Sequence, residues 1–153
     1  MQLPVYLGLL HRSEAALAES FRQVAEGHGE EPDVFHLCHT LAGQCDEHAA
    51  ALAPVVERYG EVDSDDEPER LHADALSSTR EGPVGLLRDL QDLCLIGTLV
   101  DLSWMVVRQA GLGLRDEELL AVVDRCSTET ETQLSWLRTR LKQAAPQALI
   151  VAS

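Results

Sequence analysis

Leu93 to Val107 (LCLIGTLVDLSWMVV) constrains this chain more than any other stretch. It is apolar on every side of a helix, with one acid, Asp101, near its middle. A helix that is hydrophobic all round has to be covered all round, by its own bundle or by a second subunit. At fifteen residues it is shorter than the roughly 20 needed to cross a bilayer, so it reads as the central helix of a soluble bundle.

The flanking sequence supplies three more helices. Leu3, Leu7, Leu10, Glu14, Leu17, Phe21 and Val24 alternate at spacings of four and three, the seam of a packed helix expected over 4–26. Gly27-His28-Gly29 closes it, and Pro32-Asp33 opens a second helix over 32–59. Its seam is Val34, Cys38, Leu41, Cys45, His48, Leu52, Val55 and Tyr59. A connection over 60–82 follows, dense in acids, with a short helix considered over 67–76. Ser78 to Glu81 has capping-box spacing ahead of a third helix over 83–110. Gly111-Leu112-Gly113 suggests a tight reversal into a fourth helix, 115–143, stopped by Pro146. That last seam reads Leu120, Val123, Ser127, Thr130, Leu134, Leu137 and Leu141.

The scarcity of aromatics beside abundant Leu and Ala favours helices over strands. The expectation is one all-α domain over 1–153, a four-helix bundle. About 22 residues at about 3.3 Å each can run the length of a helix, which would set helix 3 parallel to helix 2, the ferritin-like topology. A collapsed connection would give simple up-down-up-down instead, and the long connection favours the former.

A net charge of −14 argues against nucleic-acid binding and against docking on anionic membranes. No secretory leader opens the sequence, so a cytoplasmic location with four reduced cysteines is expected. The cysteines have no CxxC spacing, which removes zinc-ribbon and thioredoxin readings.

Polar residues on apolar seams mark where chemistry could lie: Glu14, Cys45, His48, Cys94 and Asp101. Counting from the loops places Glu14 opposite about Gln44 and Cys94 opposite about Glu131. Glu14, Cys45, His48, Cys94 and the stretch 127–131 are therefore expected in one central layer. His11, His36, His39 and Glu47 face away and read as a solvated surface.

The arrangement resembles the ferritin-like di-iron proteins, which place a Glu on helices 1 and 3 and Glu-x-x-His on helices 2 and 4. Glu14 matches the first position, and Cys45-x-x-His48 matches the second with Cys for Glu. Asp101 or Cys94 stands for the third-helix acid, and Glu131 supplies the fourth-helix acid without its histidine. The resemblance implies a metal ion (iron, zinc or copper) held by Glu14, Cys45, His48, Cys94, Asp101 and Glu131. A hemerythrin-like site is not supported, because all six histidines precede residue 73. The alternative is a metal-free bundle acting as an interaction or scaffold protein. Leu95, Leu99, Leu102 and Val106 point off the helix 3 seam, which predicts a homodimer through that helix.

Overall fold

The computed structural model describes residues 1–60 and 74–152. Its four helices are α1 (Leu3–Gly27), α2 (Pro32–Tyr59), α3 (Gly82–Leu114) and α4 (Glu117–Pro146). Among the described residues there are no strands. The short helix considered over 67–76 falls almost wholly outside the described residues.

Contacts at the two ends of the bundle fix the path of the chain. At the upper end, where α1 finishes, His28 bonds Asp89 near the start of α3. There too Arg140, late in α4, pairs with Glu31 and Asp33 at the head of α2. At the lower end Arg58 and Tyr59, closing α2, both reach Asp116 at the N-cap of α4. Helix α1 therefore runs up, α2 and α3 run down in parallel, and α4 returns upward. Parallel α2 and α3 are joined by the long second connection, as expected, and the up-down-up-down alternative is excluded. The end of that connection climbs α1: the Leu76 N–H donates to Ser20 Oγ (3.1 Å), and Thr79 lies against Gly27. Any side chain at Gly27 would collide with Thr79, so this glycine serves close approach.

Three local expectations are corrected. The reversal between α3 and α4 lies at Arg115-Asp116, not at Gly111–Gly113, with Arg115 in the left-handed region at φ 54°. Gly111 is instead buried inside α3, where an added Cβ would stand 3.0 Å from Leu120 Cδ2. Its small size lets α4 close on α3. The capping box before α3 does not form, because Glu81 stands at the N-cap without a side-chain cap while Arg80 turns to Asp89. Pro146 does not stop α4 outright, for Gln147–Val151 continues it as one π-helical turn.

The core runs the length of the bundle, with Leu7, Leu10, Leu17, Phe21, Leu52, Leu90, Leu93, Trp104, Leu119 and Leu137 fully buried. Helix α3 is only partly covered. Its inward line (Leu86, Leu90, Leu93, Val100, Trp104, Val107) packs into the core, while Leu95, Leu102, Met105, Val106 and Leu112 stay exposed. Length and composition alone would pass this helix as a membrane span. The prediction that all its faces are covered holds within the chain only for the inward half.

The upper end has its own buried ion cluster. Asp89 is fully buried and accepts from His28 (2.7 Å), the Arg80 N–H (2.9 Å) and the Arg80 guanidinium (2.7 Å). Removing one member of a buried pair leaves the rest uncompensated, at about 3–5 kcal/mol. Asp89→Ala is expected to lose about that much stability in urea unfolding. Asp92→Ala, at the more exposed branch of the Arg80 interaction, is expected to lose under about 1 kcal/mol.

Candidate polar centre in the bundle core

Glu14 occupies a seam position of α1 and is fully buried. A carboxylate there survives only if the fold supplies donors, because desolvating it alone costs several kcal/mol. Two donors reach the same oxygen. Trp104 Nε1–H from α3 donates to Glu14 Oε1 at 2.9 Å, and His48 Nδ1 from α2 meets it at 3.2 Å. The other oxygen, Oε2, is buried with no hydrogen-bond partner.

His48 is also fully buried, and its second nitrogen, Nε2, lies 3.4 Å from Glu129 Oε2 of α4. A neutral imidazole has one N–H to give, whereas carboxylates on both sides call for two. Burial by itself would lower the His48 pKa, but the bonds and charges of Glu14 and then Glu129 outweigh it and raise the value above 6.5. With a carboxylate on each ring nitrogen, the arrangement favours the imidazolium form. From Glu129 the chain of charges continues outward to Arg125 (3.6 Å) and on to Glu47 (3.1 Å) at the surface.

Two thiols border this network. Cys45, one turn before His48, faces Gln133, whose amide nitrogen lies 3.7 Å from Sγ and donates to Gln44 Oε1 at 3.1 Å. Burial first, and then the Glu14 carboxylate, push the Cys45 thiol well above its ordinary value. The same two causes push Cys126 up to about 12. Cys38, farther up α2, rises to about 12 through burial and Asp33. All three are buried thiols that resist ionisation, and the thiolate is the form that attacks electrophiles and binds metals.

Of the six residues expected at a metal site, the structure brings Glu14, Cys45 and His48 together. Cys94 is not with them. It sits half-buried ten residues before Trp104 on α3, about 15 Å up the helix axis. Loop counting misplaced it because α3 starts above the end of α1, with Asp89, seven residues along α3, level with His28. Asp101 and Glu131 form a separate pair on the outer α3–α4 flank. There burial and the Glu131 charge raise the Asp101 pKa, with Arg138 opposing. Trp104, Cys126 and Gln133 were not singled out from the sequence, whereas Glu129 lies within the stretch 127–131 expected in the central layer. On α4 Val123, Thr130, Leu134 and Leu137 lie inward as expected, while Leu119 and Cys126 are buried in place of Leu120 and Ser127, and Gln133 joins the line. Trp104 carried a usable signal, since a buried indole N–H needs an acceptor.

Measured against a ferritin-like metal centre, the donor set departs on two helices. Trp104 stands on α3 where an acid is required, and α4 sets Gln133 rather than histidine beside Cys45. Among the described residues no group of three or more His, Cys, Asp and Glu side chains converges as a metal ion would need. No family model matches the chain, and no curated protein or solved structure matches it.

Two outcomes follow from this geometry. In the native protein Cys94 should react with a maleimide first, and Cys38, Cys45 and Cys126 only as the protein unfolds, read by mass spectrometry. His48→Gln should cost about 2–4 kcal/mol. The folded pKa of His48 lies above the unfolded one, so its contribution is full below about 6.5 and fades as pH rises through the folded value. The loss should therefore be larger at about pH 6 than at about pH 9, measured by urea unfolding.

Proposed function

We propose that this protein is a ferritin-like helical bundle that works as an interaction module, with a polar Glu–His–Glu centre in the place a metal centre would take. The observation that carries the reading is the α3 surface. Leu95 is 70% exposed and Leu102, Met105, Val106 and Leu112 about half exposed, a contiguous apolar face on a chain of net charge −14. Apolar patches of this kind on a soluble domain mark association surfaces. The pairing of His48 with Glu14 and Glu129 supports the same reading, because the core polar groups largely satisfy one another.

One observation favours a second reading. Glu14 Oε2 is buried without a partner, and Cys45 and His48 stand beside it. A single zinc or copper(I) ion would give that oxygen a ligand role, and it would have to displace the Cys45 proton to use the sulfur.

Metal analysis of protein purified without an affinity tag separates the two. The interaction reading expects well under one equivalent of iron, zinc or copper. It also expects a melting temperature unchanged by a chelator or by added Zn(II), Cu(I) or Fe(II). Near-stoichiometric metal, with a rise in melting temperature that Glu14→Gln abolishes, would establish the metal-binding reading instead.

A further inference from the structure

We infer that the partner of the α3 face is a second copy of this chain, packed with its own α3 antiparallel to the first. The exposed line of α3 is complementary to itself in that arrangement. Taken at spacings of three and four, that line is Leu95, Thr98, Leu102, Met105, Gln109 and Leu112. Leu95, Leu102, Met105 and Leu112 are at least half exposed.

Two antiparallel helices set each early position of one against a late position of the other. Centring the pair between Leu102 and Met105 puts Leu95 on the partner's Leu112 and Leu102 on the partner's Met105. It also puts Thr98 on the partner's Gln109. Apolar residues then meet apolar ones, and the two polar positions meet each other. Shifting the register by one heptad sets Leu102 on the partner's Thr98 and loses the match. Leu99 and Val106 border the line on one side and widen the apolar contact.

Charge points to the same occupant. A body carrying −14 repels its own copies except where the surface is neutral. Between Leu95 and Leu112 only Asp101 and Arg108 are charged, and they cancel. Both lie on the α4 side of the line, where Asp101 faces Glu131 and Arg108 reaches Asp124 at 2.6 Å. In the antiparallel register each Asp101 comes opposite the partner's Arg108, twice by symmetry. A parallel pair offers Asp101 no cation. Burial and Glu131 already disfavour the Asp101 charge within one chain, so a partner cation there adds stabilisation.

This inference rests on the interaction reading, and the two fail separately. Metal loading at the polar centre would sink that reading without changing the association state. A monomer with no bound metal would sink only this one.

The test is sedimentation equilibrium on the full chain, with circular dichroism as the check on folding. Wild type should sediment at twice 16.8 kDa at micromolar concentration. Leu102→Glu should give a folded monomer. Asp101→Arg and Arg108→Asp should each raise the dissociation constant by about tenfold, since each sets two pairs of like charges together. The double reversal Asp101→Arg/Arg108→Asp should restore most of the loss. A wild-type monomer, or a dimer that survives Leu102→Glu, overturns the proposal. A dimer lost with Leu102→Glu but indifferent to the single reversals, or not rescued by the double one, overturns the antiparallel pairing.

Discussion

The bundle is organised around one buried carboxylate. Glu14 is fully buried, and its stability there depends on groups from three other helices. Trp104 brings α3 to it and His48 brings α2, while Glu129 ties α4 in through the far side of the imidazole. Every helix must therefore hold its height and rotation within about an ångström for the set to close. Apolar packing alone would tolerate slippage by a turn, whereas a desolvated charge does not. The centre thus acts as a register pin, and the hydrophobic core supplies the bulk of the driving force around it.

The two ends of the molecule complete what the centre begins. At the upper end Asp89 gathers His28 and Arg80, fastening the close of α1 and the returning connection to the start of α3. At the lower end Asp116 caps α4 through the Leu119 N–H while taking Arg58 and Tyr59 from α2. These clusters sit where the down-going and up-going helices meet, so each fixes a pairing of ends. Together they select parallel α2 and α3, because the up-down-up-down alternative would carry Asp89 away from His28.

Much of this was readable from the sequence. The four-three spacing of Leu7, Leu10, Leu17 and Phe21, and of Cys38, Leu41, Cys45 and His48, marks two helices and their inward faces without ambiguity. Glu14 and His48 stood out because they break those apolar lines. What the sequence hid is what depends on one residue of rotation or a few of length. On α4, with few strong apolar residues, Leu119 and Leu120 compete for the seam, and choosing Leu120 concealed Cys126 and Gln133. On α3 the glycines at 111 and 113 mimic a turn, yet the helix continues through them because Gly111 is needed for packing. A resemblance built on metal-ligand spacing also directs attention to acids and histidines, and so passes over Trp104, whose N–H does the work that a cation would do.

The pairing of His48 with two carboxylates ties the core together and favours the charged form of its ring. It is tested most directly by following the His48 side chain with ¹⁵N and ¹³C NMR through a pH titration, assigned with His48→Gln. The ring is expected to titrate above the ordinary 6.5, with both nitrogens protonated at about pH 6. A neutral, single-tautomer ring at about pH 6, or a midpoint below 6.5, would overturn that pairing.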